Sequence, residues 1–78
     1  MAKSVQIYST PTCVYCRVAK DFFKQNNISF SEHNVAEDDE KAREMIKKSG
    51  QQGVPVIDID GTIIVGFNKS AIRQALGL

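Results

Sequence analysis

Cysteine is scarce in this sequence: its 78 residues hold only two, Cys13 and Cys16. A secreted disulfide scaffold uses more of them, spread along the chain to close large loops. A bridge between positions this close removes little chain entropy and makes a poor staple. Charge of one sign is scarce too. The formal net charge is +1, and the longest like-charged run is the acidic stretch from Glu37 to Glu40. Nothing here supplies the basic patch that a nucleic-acid binder needs to neutralise phosphates. No apolar run approaches membrane-spanning length, and Met1-Ala2-Lys3-Ser4 leads straight into a short apolar–polar alternation. A signal peptide needs a longer apolar stretch, so the expected location is cytoplasmic. Metal ligands are few. Two cysteines and one histidine, His33, fall short of the four ligands of a structural zinc site. No metal site is expected, and His33 reads as an ordinary strand residue. Repeats, low-complexity tracts and linkers are absent, and the length suits one domain over residues 1–78 with a modest core.

Two periodicities alternate along the chain. Val5 and Ile7, with polar residues between them, predict a strand over about residues 3–8. Pro11 breaks the pattern in the turn Ser9-Thr10-Pro11-Thr12. From Cys13 the spacing becomes helical: Tyr15, Val18, Ala19, Phe22 and Phe23 recur at three and four, and the helix is expected to end near Asn26-Asn27. Residues 28–35 alternate and predict a second strand. Asn34 followed by Glu37 fits a capping pair for a second helix, with Glu37, Asp38 and Asp39 in its first turn. Lys47 and Lys48 fall in its last turn and Gly50 at its C-cap. Ala42, Met45 and Ile46 are its expected buried stripe, and Glu37–Lys41 and Glu44–Lys48 its expected surface ion pairs.

Val54 to Ile59 and Thr62 to Val65 are two β-branched runs joined by Asp60-Gly61, a hairpin signal. Gly66 ends the second run. Asn68 is placed to cap a last helix with Ile72, Ala75 and Leu76 inward. The order β-α-β-α-β-β-α follows. A parallel first pair is implied by the helical crossover, and the hairpin adds an antiparallel pair. The expected fold class is α/β, with helices on a mixed four-stranded sheet.

The cysteine pair falls where a strand gives way to a helix, and that position has consequences. Unpaired backbone N–H groups at a helix N-terminus, together with the macrodipole, favour thiolate over thiol. Cys13 is therefore the expected nucleophile. Cys16, about one turn on, lies on the same side of the helix and is expected to be the more buried, resolving thiol. Val14 keeps an N–H that a proline there would lack. Arg17 and Lys20 add positive charge to the helix. The implied reaction is attack of Cys13 on a disulfide to form a mixed disulfide. Either Cys16 or an external thiol then releases it. The competing reading is a pair of plain structural thiols.

The chain resembles the glutaredoxin family of the thioredoxin superfamily over essentially its whole length. The resemblance is carried by Ile7-Tyr8-Ser9, Cys13-Val14-Tyr15-Cys16, Val54-Pro55 before a hairpin, and Gly66 before the last helix. It implies a thioredoxin-like (glutaredoxin) fold and a thiol–disulfide oxidoreductase, with Cys13 attacking and Cys16 resolving. It makes Tyr15 the tyrosine beside the active site and Pro55 a cis-proline facing the cysteines. It implies glutathione as co-substrate, with no tightly bound cofactor, and disulfide-containing proteins as partners; a monomer is the default expectation. The substrate-binding residues it implies are Thr12, Tyr15, Gln52, Val54, Pro55, Gly66, Phe67 and Asn68. Val54 would pair its backbone with a bound peptide or glutathione as an added strand.

The sequence departs from the family pattern where glutathione would bind. Thr10 stands where a lysine is usual, and Gly53 precedes Val54-Pro55 in place of threonine. The stretch Val65-Gly66-Phe67-Asn68-Lys69 replaces Gly-Gly, a small residue and Asp. Lys69 would repel the glutathione ammonium, while Gln51 or Gln52 would still bond a carboxylate. Gly66-Phe67 and Cys-Val-x-Cys are similar instead to glutaredoxin-like redoxins that draw electrons from thioredoxin reductase and reduce ribonucleotide reductase. An iron–sulfur cluster carrier and a non-catalytic adaptor binding through Val54-Pro55 and Phe67 are the readings of another class.

Overall fold

A computed structural model describes residues 4–78. Along these residues run β1 (Val5–Ser9), α1 (Val14–Gln25), β2 (Ser31–Asn34), α2 (Asp39–Ser49), β3 (Val56–Ile59), β4 (Thr62–Val65) and α3 (Lys69–Leu76). The strands form one sheet in the order β2-β1-β3-β4. The β1–β2 pair is parallel, and β1–β3 and β3–β4 are antiparallel. The element order and mixed sheet match the expectation from the sequence. Lys3, placed in the first strand by that reading, lies outside the described residues.

Alternation along the strands divides the core between two faces. Val5 and Ile7 of β1, Ile57 and Ile59 of β3 and Ile64 of β4 pack with Ala19 and Phe23 of α1 and Ile72 of α3. Tyr8 and Val56 point to the other face and pack on Met45 of α2. β3 is central and covered on both sides, so all four of its residues are buried. At the end of α1, Asn27 takes a left-handed conformation, and the Ile28 and Asn27 N–H groups donate back to Phe23 and Lys24. That arrangement satisfies carbonyls the helix would otherwise leave open.

Several local expectations fail around α2. The second strand is shorter than residues 28–35. Asn34 still belongs to it, and its side chain accepts from the Ala36 N–H in a turn. Asp38, in extended conformation, caps α2 instead by accepting from the Lys41 N–H at 3.1 Å. Glu37 is therefore outside the helix and Asp39 and Glu40 fill its first turn. Neither expected surface pair forms. Lys41 pairs with Glu44 at 3.2 Å, and Lys48 reaches across to Asp58 of β3 at 2.8 Å. Ile46 is exposed, whereas Met45 is buried. Lys47 and Lys48 do occupy the last turn, with left-handed Gly50 at the C-cap.

Lys48 completes a polar network under α2. Its ammonium donates to the Tyr8 hydroxyl and to Asp58 Oδ2, both at 2.8 Å. The Tyr8 hydroxyl donates to Glu44 Oε2, and Asp58 Oδ1 accepts from the Gly61 N–H in the hairpin turn. Burial alone would raise the Asp58 carboxyl; Lys48 and the Gly61 N–H outweigh it and hold it below the usual range. The same carboxylate holds the Lys48 ammonium above its usual range. Stability from the depressed Asp58 is present above the unfolded carboxyl value of about 4 and is lost as pH falls through the lower folded value. Stability from the raised Lys48 is complete below about pH 10 and lost above it. Replacing Lys48 by Met leaves a buried carboxylate unpaired and costs about 2 kcal/mol at pH 7, reduced from the fully buried case by partial exposure. Urea midpoints between pH 2.5 and 7 test this. The wild type loses more stability on acidification than K48M/D58N does, and equal acid slopes would refute the assignment.

Candidate redox site

The antiparallel β1–β3 pairing ends at Tyr8 opposite Val56, and β3–β4 ends at Val56 opposite Val65. Three connections therefore emerge at one edge of the sheet: the loop from Ser9 to Cys13, the Val54-Pro55 approach to β3, and Gly66 after β4. The Val54–Pro55 peptide bond is cis. The Gly66 N–H donates to the Pro55 carbonyl at 2.8 Å and ties the second connection to the third. The Val54 peptide lies outside the registered ladder, while its side chain packs on the Tyr8, Met45 and Val56 cluster.

Cys13 is the N-cap of α1. Its backbone is extended, its N–H donates to the Thr10 carbonyl, and its Sγ accepts from the Cys16 N–H at 3.1 Å. Both cysteines are free thiols. Cys13 is half-buried at the surface, whereas Cys16 is 1% exposed. Burial, and secondarily the neighbouring Cys13, push the Cys16 thiol up to about 12. Iodoacetamide at pH 7 is accordingly expected to label Cys13 and spare Cys16 in the folded protein. Peptide mass spectrometry reads this directly, and equal labelling rates would contradict the assignment.

The implied binding residues divide. Val14 and Tyr15 are 71% and 66% exposed beside Cys13, and Thr12 is exposed in the loop before it. Phe67 is half-buried: its ring meets Phe22 edge-on at 6.0 Å, and it lines a cleft of about 320 Å³ with Val18, Asp21, Gln25 and Lys69. Asn68 spends its side chain on capping α3, accepting from the Ala71 N–H at 3.2 Å. Lys69 Nζ sits over the Phe22 ring at 5.9 Å. No carboxylate stands in the segment 66–69. Gln51 is folded back on its own loop, bonded to both the N–H and the carbonyl of Gly53. The neighbouring Gln52 is exposed.

One cluster beside the cysteines was not visible from the sequence. Lys20, four residues after Cys16, pairs with Glu32 of β2 at 2.6 Å, and Glu32 also accepts from the Ser9 hydroxyl at 2.9 Å. The helical spacing marks Lys20 as a neighbour of Cys16. Only the parallel register, which sets Glu32 opposite Ile7, brings the carboxylate there. His33, as expected, is an ordinary strand residue; it bonds Gln6 and lies against the Tyr8 ring. Among the described residues, no group of three or more His, Cys, Asp or Glu side chains is arranged to hold a metal ion. None of the described helices is long and apolar enough to cross a membrane.

A sheet in this order, with a helix-capping cysteine at the edge where a cis-proline enters, defines the thioredoxin-like fold in its glutaredoxin form. The glutaredoxin family profile matches residues 5–64. A glutaredoxin-like 8.6 kDa protein of the rubredoxin operon of Clostridium pasteurianum is 54% identical over 72 residues, covering 92% of this chain and 96% of that one. Glutaredoxin 3 of Escherichia coli K12 is 41% identical over 74 residues, covering 95% and 89%. The glutaredoxin-like protein NrdH of Lactococcus lactis is 31% identical over 70 residues, covering 90% and 96%. The crystal structure of a glutaredoxin from Methanosarcina mazei superposes with a TM-score of 0.86 at 26% identity, covering 96% and 79%. The chain belongs to the glutaredoxin family, whose members are in general thiol–disulfide oxidoreductases.

Proposed function

We propose that this chain is a dithiol oxidoreductase in which Cys13 attacks a disulfide and Cys16 resolves it. The observation that carries this reading is the contrast in burial between the two thiols. Cys13 sits at the surface on a helix N-terminus, and Cys16 lies buried one turn behind it. Attack by the Cys13 sulfur forms a mixed disulfide and expels one substrate sulfur as thiolate. Cys16 then loses its proton and attacks Cys13 Sγ, and the second substrate sulfur leaves. Two electrons have passed to the substrate, and a Cys13–Cys16 disulfide remains for an external reductant to open.

Val54 offers its peptide group to an extended substrate segment, with Pro55 and Gly66 fixing that edge. The family resemblance assigns further substrate contacts to Thr12, Tyr15, Gln52, Phe67 and Asn68, of which Asn68 already accepts from the Ala71 N–H. Substrates are disulfide-containing proteins or mixed disulfides with glutathione, in the cytoplasm, and the protein acts as a monomer. Electrons come from glutathione or from thioredoxin reductase. The segment 66–69 favours the second source, because it offers a lysine and a capping asparagine where the glutathione ammonium needs a carboxylate. A redoxin of that kind would pass electrons to ribonucleotide reductase. The Gln51 carboxamide is occupied, which leaves Gln52 as the carboxylate donor in the glutathione reading.

NADPH oxidation during reduction of a small disulfide tests both readings in parallel reactions. One contains glutathione and glutathione reductase, the other thioredoxin reductase alone. Turnover in either supports the oxidoreductase reading and names the electron source. Reduced protein that turns over in neither would sink it in favour of an adaptor or a cluster carrier.

A further inference from the structure

The resolving step poses a problem of charge. Cys16 must become a thiolate in order to attack, yet it is almost completely buried. The reverse step, opening of the Cys13–Cys16 disulfide, asks the same sulfur to leave as an anion. Removing an ion from water is costly unless a counter-charge is already in place.

The cation nearest in the helical spacing is Lys20, one turn further along α1. It follows Cys16 by four residues on α1, so the two side chains share one side of the helix. Its ammonium is not a free surface charge. Glu32 Oε2 holds it at 2.6 Å, and the same oxygen accepts from the hydroxyl of the buried Ser9 at 2.9 Å. The cluster therefore joins α1, β2 and the end of β1, immediately before the cysteine loop. It opens on a cleft of about 360 Å³ lined by Ser9, Thr10, Pro11, Lys20, Glu32 and Asn34, which gives water a route to the charged pair.

We infer that Lys20, pinned by Glu32 and Ser9, is the positioning residue that supports negative charge on Cys16 during resolution and again when the disulfide is reopened. The inference rests on the dithiol reading above. The step needs no group that is not present: the Cys16 proton passes to solvent, Cys16 Sγ bonds to Cys13 Sγ, and the substrate sulfur departs with the electron pair of the broken bond. Lys20 stays protonated throughout.

The surrounding charges agree with this assignment. Burial and Cys13 raise the Cys16 thiol, while the Thr10 backbone and, as the smallest influence, the Lys20 charge act against them. Once Cys13 is in a mixed disulfide it carries no charge, and burial is then opposed by Thr10 and Lys20. From β2 the ionisable neighbour is Glu32, held below the usual carboxyl range by Lys20 first and then Ser9, with a weaker pull from Lys24. Glu44, Lys48 and Asp58 belong to the Tyr8 network on the opposite face of the sheet.

The test uses the reduced, intact protein and 5,5′-dithiobis(2-nitrobenzoate) in stopped flow from pH 6 to 10. Release of the first thionitrobenzoate reports attack by Cys13, and release of the second reports resolution by Cys16. In Lys20→Met the second phase is expected to slow by about tenfold at pH 7, with its pH profile displaced upward by about one unit. Lys20→Arg, which keeps the charge, restores most of the rate. An unchanged second phase in Lys20→Met, equal slowing of both phases, or an Arg variant as slow as the Met variant would each overturn the assignment. Failure of the dithiol reading itself looks different, because the wild type would then never release the second equivalent.

Discussion

Disulfide reduction disappears when Cys13 is replaced by Ser. The expected loss is at least about a thousandfold, as for removal of a nucleophile that no neighbour replaces. A serine hydroxyl does not form the mixed disulfide, and Cys16 does not substitute for it. Cys16 is 1% exposed, and its thiol is pushed up to about 12 by burial and Cys13. The companion variant separates the two thiols. In Cys16→Ser the first attack survives and the protein accumulates as a mixed disulfide with its substrate, visible by mass spectrometry. Turnover of that variant then depends entirely on an external thiol. NADPH-coupled assays of both variants decide the matter, and substantial activity in Cys13→Ser would refute the assignment of the nucleophile.

The largest effect on stability is expected at Phe23. This residue is fully buried, sits in the core between the sheet, α1 and α3, and meets the rings of Phe22 and Phe30. Truncation to Ala removes a ring from a close-packed interior and costs about 3–5 kcal/mol. A chain of this length has about 4–12 kcal/mol in all. Phe23→Ala is therefore expected to lose a large share of its stability, seen as a fall of at least about 12 °C in the thermal midpoint. Phe23 lies seven residues beyond Cys16 on α1 and ten beyond Cys13, so activity below the new midpoint should follow the folded fraction. A shift of only a degree or two would mean that the core is less tightly packed than the structure shows.

These two sites differ in how plainly the sequence announced them. The cysteine pair was legible because a helix N-terminus is a local object. The turn at Pro11, the helical spacing from Tyr15 to Phe23 and the three-residue offset of Cys16 all lie within a few turns of chain. The hairpin at Asp60-Gly61 and the caps at Gly50 and Asn68 were legible for the same reason, and each appears where expected. The start of α2 was misplaced because Asn34 and Asp38 are both good caps. The choice fell to Asp38 because β1 keeps Asn34 in the sheet, opposite Ser9.

The electrostatic partners were out of reach of a reading along the chain. Helical spacing pointed Glu44 at Lys48, yet Lys48 crosses to Asp58 and Tyr8. A buried carboxylate gains more from a cation than an exposed one does, so the tertiary partner wins. Lys20 and Glu32 meet for a similar reason: they are distant in sequence and are joined by the parallel register of β1 and β2.

By itself, then, the sequence determined the order of elements, because periodicity, turns and caps act over a few residues, and its motifs carried the resemblance to the family. Cys16 is the more buried thiol, as its spacing from Cys13 implied, but the tertiary structure alone decided which charges stand around it. It also decided that the 66–69 segment spends its polar groups on capping α3 and on the Phe22 ring. Charge pairing is set by what the fold brings together across the sheet, and no local pattern records it.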